Sequence, residues 1–354
     1  MNVLELVRHG SPDVAFSCRD HPDPAPGPGQ VRIAVEASGV NFADIMARRG
    51  TYPEAPRPPC VLGFEVVGRI ESLGPGVGSE ILAPGRRVVA LTRFGGYASR
   101  AIAAASATMP IPENMDPGSA AALATQGVTA YLAAEGLVHI EPGDHVLVHA
   151  AAGGVGTLLV QLARARGAVV IGTAGSEAKL EHMRRLGVTH AINYRERDFV
   201  PELLRLTGGR RPDVIFDAIG GASVRKGLAL LASGGRMVSY GVATLSGSGW
   251  ALPRAVRMFI GFGLIHPLTL LVHSKGILGL NLLALGDDRP ELVGRALAAT
   301  VDRAARGTLV PVVDRAFPAT AVAEAHAYVE ARKSMGKVVL LWDQAPAGSP
   351  GAAG

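Results

Sequence analysis

A chain of 354 residues with 48% hydrophobic and 18% charged residues is long enough for two cores and too apolar for a disordered protein. Its formal net charge of +5 comes without any run of Lys and Arg interleaved with aromatics; that excludes nucleic acid as a partner and leaves a modest attraction for phosphate-bearing ligands. The two cysteines, Cys18 and Cys60, exclude a disulfide framework and a cysteine-rich zinc site, and they fit a reducing, cytoplasmic compartment.

The N-terminal "MNVLELVRHGSPD" lacks a basic region followed by an apolar one, so no signal peptide is expected. Residues 1–125 read as β-rich. Short alternating or apolar runs ("QVRIAVEASGV", "CVLGFEVVGRIESLG", "RRVVALT") stand between Gly and Pro clusters, the pattern of a small barrel-like all-β unit. Within it, "NFADIMARR" reads as a helix.

From about residue 126 the rhythm changes. Strand-like runs alternate with helical stretches: "HVLVHA" then "VGTLLVQLARARG", "VVIGTA" then "EAKLEHMRRLG", "HAINY" then "FVPELLRLT", "DVIFDAI" then "SVRKGLALLAS", "RMVSYG", and finally "GILGLNLL". Six strands in such an alternation predict an α/β fold with a doubly wound parallel sheet. The apolar stretch "MFIGFGLIHPLTLLV" (258–272) is interrupted by His266 and Pro267 and falls short of the roughly 20 residues a membrane span needs. It is expected to be a buried helix or a subunit interface. After 285 come helices over 290–306 and 319–332 around "VPVVDRAFP", then "GKVVLLW", a strand expected to rejoin the N-terminal unit. The tail "QAPAGSPGAAG" (344–354) is low in complexity and expected to be disordered.

The glycine-rich turn "HAAAGGVG" lies between a strand and an amphipathic helix, where a dinucleotide-binding turn belongs. Gly153 and Gly154 let the backbone approach a pyrophosphate, and Gly156 lets the helix pack on the strand. With Ala152 and Val155 they would present free N–H groups and the positive end of the helix dipole to phosphates. The first glycine of the GxGxxG pattern is Ala151 here. About 20 residues on, an NAD site would place an acid on the ribose hydroxyls. This chain has none there; Thr173, Ser176 and Lys179 follow, then Tyr194 and Arg195. A missing acid with hydroxyls and cations in its place points to a 2′-phosphate, hence NADPH over NADH. Arg195 reads equally well as a solvated surface residue. Gly220, Ser239 and Gly241 fall at the carboxyl ends of later strands, where ligands of such sheets bind. His149 reads as structural.

With "GVNFADIMARRGTYP", "VHAAAGGVG", "DAIGG", "SYGVATL" and "GKVVLL", the chain resembles the zinc-free quinone oxidoreductase (ζ-crystallin-like) branch of the medium-chain dehydrogenase/reductase superfamily. The resemblance runs over about residues 1–342. It implies a GroES-like catalytic domain (1–125 and 286–345) beside a Rossmann domain (126–285), with the active site in the cleft between them. Zinc-dependent relatives carry a Cys near position 41 and a Gly-His-Glu triplet. Here position 41 is Asn and the triplet is Gly63-Phe64-Glu65, so no catalytic metal is expected. Without that Lewis acid, the suited substrates are already polarised ones, quinones and α,β-unsaturated carbonyls.

Hydride addition to such a substrate builds negative charge on its oxygen, and a donor there is worth roughly 2.7–4 kcal/mol. Tyr52 and Asn41 are the candidates. Tyr52 stands where similar enoyl-thioester reductases place a proposed proton donor; it reads equally as a turn-packing aromatic. Asn41 either faces the substrate, caps the following helix, or does both. Asp44 is a first-turn acid or a cleft residue. Phe64 and Phe94 line an apolar pocket or belong to the core. The resemblance also places Thr129 near the nicotinamide and brings Asn281 and Lys337 to the cofactor, and it implies a homodimer through the edge strand near 276–283. The expected function is an NADPH-dependent reductase of quinones or activated alkenes acting on a small molecule. The alternatives are a tailoring reductase on a biosynthetic intermediate and a non-catalytic nucleotide-binding protein.

Overall fold

The computed structural model describes residues 1–78, 80–243, 261–263 and 265–343. The tail at 344–354 and residues 258–260 and 264 of the apolar stretch lie outside the described residues. The chain divides into two compact units: Met1–Thr125 with Arg289–Val301 and the chain from Val313 on, and Gln126–Asp288 with Asp302–Val312.

The first unit is built on the long strand Gln30–Val40. Its residues alternate between buried and half-exposed from Gln30 to Ala37, which places Val31, Ile33 and Val35 on the core face. The sheet runs in the order Val313–Pro318, Lys337–Leu341, Gln30–Val40, Glu65–Leu73, Arg87–Leu91, Thr108–Pro110, with Arg100–Ala104 also pairing Gln30–Val40. A second sheet joins Asn2–Leu6 to Phe16–Asp20 and Cys60–Val61. As expected, the last strand rejoins this unit: Val339 stands opposite Gly39, and the Trp342 indole donates to Ser38 Oγ at 2.8 Å. Two helices close the core. Phe42–Arg48 contributes Ile45 and Ala47, and Val322–Glu330 contributes Ala325 and Val329. The fully buried Arg48 ties them by donating to Glu330 at 2.8 Å and to Gly10 O at 2.6 Å.

The second unit carries a wholly parallel sheet of six strands, in the order His190–Asn193, Val169–Ala174, His145–Val148, Val214–Asp217, Arg236–Ser239, Gly276–Gly279. These are the six runs the sequence predicts. The central strands are buried almost along their whole length, with polar side chains only at His145, Thr173 and Asp217. The last strand is shorter than "GILGLNLL" suggests. It stops at Gly279, and Leu282–Asp288 turns into a helix. In the segment before it, of the two expected readings only the buried helix is set aside. Pro267–Val272 is a helix but not a buried one: Leu268, Leu271 and Val272 are exposed in the single chain.

Candidate active-site cluster and nucleotide cradle

The glycine turn forms as the sequence predicts. The strand ends at Val148, Ala150 takes a positive φ of 52°, and the helix Gly154–Ala165 begins after Gly153. The tight turn is therefore made by an alanine in the left-handed region, at a cost of roughly 1–2 kcal/mol. The first bond of the helix runs from Thr157 N–H to Gly153 O at 2.9 Å. The amides of Gly154, Val155 and Gly156 precede it and have no acceptor within the helix, so they remain available to an anion. A Cβ on Gly156 would stand 2.3 Å from Ala150 O and 2.7 Å from Ala151 Cα. Only glycine lets the helix sit this close. Ala152 is buried beneath the turn, while Gly153, Gly154 and Val155 are half-exposed.

Around the cradle the predicted residues divide. Ser176 is exposed at the head of the helix Glu177–Arg185, and its side chain makes no capping bond. Lys179 is half-buried one turn on. Tyr194 is exposed, its hydroxyl 2.7 Å from where a Cβ on Gly175 would stand, with Arg195 Nε at 3.1 Å from the same point. Gly175 therefore lets Tyr194 and Arg195 close over the end of the second strand. Thr173, by contrast, is turned inward. It is 2% exposed and shares a 3.0 Å hydrogen bond with His149 Nδ1, so it is a core group and not a ribose contact. Burial lowers the His149 pKa and outweighs Asp217, whose Oδ2 lies 3.9 Å from Nε2. His149 is thus a neutral structural residue. Asp217 Oδ1 accepts from the backbone of Ile219 and Gly220, at 2.9 and 2.7 Å, which fixes the glycine turn after the fourth strand. Gly220 lies against Gly241, the two glycines closing neighbouring strand ends, and Ser239 ends its strand half-buried. Thr129 is buried in the helix Val128–Tyr131. The Asn281 carboxamide oxygen caps the helix Leu282–Asp288, accepting from Leu283 N–H at 3.0 Å.

Sequence reasoning missed Gln126. It is 8% exposed and lies on a wide π-helical turn, Leu123–Gly127. A Cβ on Gly154 would fall 2.2 Å from its Cδ, Nε2 and Oε1 alike. The amide therefore lies directly over the head of the cradle helix. Nothing in "ATQGVTAY" distinguishes Gln126 from any polar residue on a helix.

In the first unit, Asn41, Glu65 and Lys337 meet in one buried cluster. Asn41 Nδ2 donates to both Glu65 carboxylate oxygens at 2.8 Å, and Lys337 Nζ donates to Asn41 Oδ1 at 3.0 Å. Lys337 also pairs with Glu65 directly, and Thr125 Oγ1 donates to the same carboxylate. Glu65 and Lys337 are both 0% exposed. Two expectations change. Lys337 is a core ion-pair partner rather than a cofactor contact, and both ends of the Asn41 amide are engaged, leaving it no hydrogen bond to offer a substrate. Asn41 is the N-cap of the helix, as expected, and Asp44 completes a capping box with it, accepting from Asn41 N–H at 2.8 Å and from Gly63 N–H at 3.1 Å. Asp44 is 0% exposed.

Burial first, and Glu65 second, push the Asp44 carboxyl up from 3.8 to about 7. A carboxyl raised in the folded state holds its proton more tightly there than in the unfolded chain. Its contribution is therefore most favourable at low pH and is lost as pH rises from about 4 through 7. Denaturant unfolding at pH 5 and pH 8 tests this. The wild type loses on the order of 3 kcal/mol more between the two than Asp44→Asn does; equal losses would remove Asp44 as the cause.

Beside this cluster, Tyr52 meets Phe64 edge to face with centroids 6.0 Å apart, and Phe64 packs on Phe94 at 5.1 Å. Phe64 is buried, while Tyr52 and Phe94 are partly exposed at the rim of the core. No ring atom of Phe64 is a metal donor, and Lys337 occupies the Glu65 carboxylate, so this group does not fit zinc. Among the described residues, no three His, Cys, Asp or Glu side chains cluster as metal ligands. No helix among the described residues is long and apolar enough to cross a membrane.

A β-rich unit followed by a parallel sheet with a glycine turn after its first strand defines the architecture of the dehydrogenase/reductase class, and the comparisons agree. Residues 27–113 match the alcohol dehydrogenase GroES-like domain, and residues 154–264 match the zinc-binding dehydrogenase domain. The human "Synaptic vesicle membrane protein VAT-1 homolog" is 36% identical over 344 residues, 96% of this chain and 86% of its own. A "2-haloacrylate reductase" from Burkholderia sp is 35% identical over 356 residues, 96% and 99% of the two chains. The structure of Escherichia coli quinone oxidoreductase complexed with NADPH superposes with a TM-score of 0.83 at 28% identity, covering 96% of this chain and 100% of that one. The chain belongs to the medium-chain dehydrogenase/reductase family of oxidoreductases, in its quinone oxidoreductase branch.

Proposed function

We propose that this protein is an NADPH-dependent reductase of quinones or α,β-unsaturated carbonyls that works without a catalytic metal. The observation that carries the reading is the cradle: three open amides at the head of Gly154–Ala165, behind a turn that tolerates no side chain at Gly156. Ser176, Lys179, Tyr194 and Arg195 gather hydroxyls and cations at the end of the second strand, with no acid among them to meet a ribose. That set favours a 2′-phosphate. The similarity to a reductase of haloacrylate, itself an activated alkene, supports the same substrate chemistry.

When bound, NADPH supplies the hydride. The protein supplies a hydrogen-bond donor for the charge that builds on the substrate oxygen, and with Asn41 engaged that donor is Tyr52. Burial, with Glu54 and Asp44 nearby, pushes its hydroxyl up to about 12, so it stays protonated at neutral pH. Tyr52→Phe is expected to lower kcat about a hundredfold while leaving the dissociation constant for NADPH within about twofold. An unchanged kcat would remove Tyr52 from the reaction.

Mixing the protein with NADPH or NADH and a panel of 1,4-benzoquinone, 9,10-phenanthrenequinone, an acyclic 2-enal and a crotonyl thioester tests the function. Turnover with preference for NADPH supports the reading and ranks the substrates. A protein that binds neither nucleotide refutes it.

The outer edge of Gly276–Gly279 is unpaired among the described residues and follows the exposed Leu268, Leu271 and Val272. An unpaired edge beside exposed apolar residues favours pairing with a second copy, and we propose a homodimer on this basis. Light scattering after size exclusion should give twice the 36.5 kDa chain mass; the mass of one chain at micromolar concentration would contradict the dimer.

A further inference from the structure

We infer that Gln126 binds the dinucleotide by accepting a hydrogen bond from one of its ribose hydroxyls. The inference rests on the proposed function and adds to it a residue outside the glycine turn.

Gln126 is more than nine-tenths buried, and its Oε1 has no hydrogen-bond partner. A buried acceptor left alone is costly and persists where something else completes it. The amide is also placed with care. All three of its terminal heavy atoms lie 2.2 Å from the point where a side chain on Gly154 would begin, so Gly154 is the space Gln126 occupies. Gln126 therefore adjoins the open amides that would receive the pyrophosphate.

The chemistry of the orphan atom narrows the ligand group. Oε1 is an acceptor and requires a donor. Phosphate oxygens, which suit the helix amides, carry no proton to give. The groups that flank a pyrophosphate in a dinucleotide are its two riboses, and their hydroxyls are donors. Gln126 thus complements the cradle: the helix binds the charge, and the glutamine binds the sugar beside it. The π-helical turn Leu123–Gly127 brings this about, because a wide turn displaces its residues from the register of a regular helix; such turns recur at functional sites.

The test is binding without turnover. Titrate wild type, Gln126→Leu and Gln126→Met with NADPH by cofactor fluorescence, then compete NADPH off with 2′,5′-ADP and, separately, with reduced nicotinamide mononucleotide. The expected result is NADPH binding weakened about tenfold in both variants, with thermal midpoints unchanged and the loss confined to one half of the dinucleotide. The half that loses affinity identifies the ribose. An unchanged NADPH dissociation constant in the folded variants overturns the inference, and so does equal loss for both halves, which would mark a disturbed turn instead of a lost contact. A wild type that fails to bind NADPH refutes the proposed function itself, and that outcome is distinct from either.

Discussion

Lys337→Met is expected to lower the stability of the first unit by about 3–5 kcal/mol, the largest effect of any single substitution considered for this chain. The variant removes the ammonium that pairs with a fully buried carboxylate and strips Asn41 Oδ1 of its donor. What remains is an uncompensated Glu65 charge in a core of Val, Ile and Leu, which is costlier than the pair was worth. Adding Glu65→Leu to Lys337→Met should recover most of the loss, because the second change removes the stranded charge. Denaturant unfolding of wild type, both single variants and the double variant forms a cycle. A double variant as unstable as the sum of the singles would show that the pair carries no such coupling.

Gly156→Ala should have a comparably large effect, and on the other unit. The new Cβ would lie 2.3 Å from Ala150 O and 2.7 Å from Ala151 Cα, and both neighbours are backbone. The turn must open or the helix must withdraw, at a cost of about 1–3 kcal/mol, which appears as NADPH affinity weakened about 10- to 100-fold. Gly154→Ala is the instructive control. There the obstruction is the end of the Gln126 side chain, which can swing aside, so the helix stays seated and the effect falls nearer that of Gln126→Leu. Equal effects at the two glycines would contradict the backbone clash.

The fold was legible in the sequence because its signals are local. Each strand of the parallel sheet is a short apolar run followed by a helical pattern, and the glycine turn sits at the first crossover with Gly156 at the tightest approach. The site was legible only in part, for a different physical reason. Lys337 and Glu65 are 272 residues apart, and no local pattern shows that a lysine is buried. Asn41 stands at the helix start in a capping box with Asp44, as its sequence position suggests, but its amide also reaches Glu65 and Lys337, partners distant in sequence that no local pattern shows. Thr173 fell at the right strand end, but the side of the strand it faces is decided by His149, 24 residues earlier. Gln126 went unnoticed because an orphaned acceptor is defined by what surrounds it, and a sequence does not print surroundings.

The path of the chain through the first unit sets an order of events during synthesis. The strand Lys337–Leu341 pairs with Gln30–Val40, so the ribosome delivers the whole parallel-sheet unit between the two partners. That inserted unit has all six of its strands by Gly279 and can begin to fold while the first unit still lacks a strand of its sheet. Until residue 337 emerges, Glu65 has no cation to neutralise it, and the edge of Gln30–Val40 from Ala37 to Val40 stays open to whatever strand it meets. A chain that stops short of its final strand therefore carries both an open edge and a carboxylate without its cation, so the first unit is complete only when the last strand of the chain has joined it.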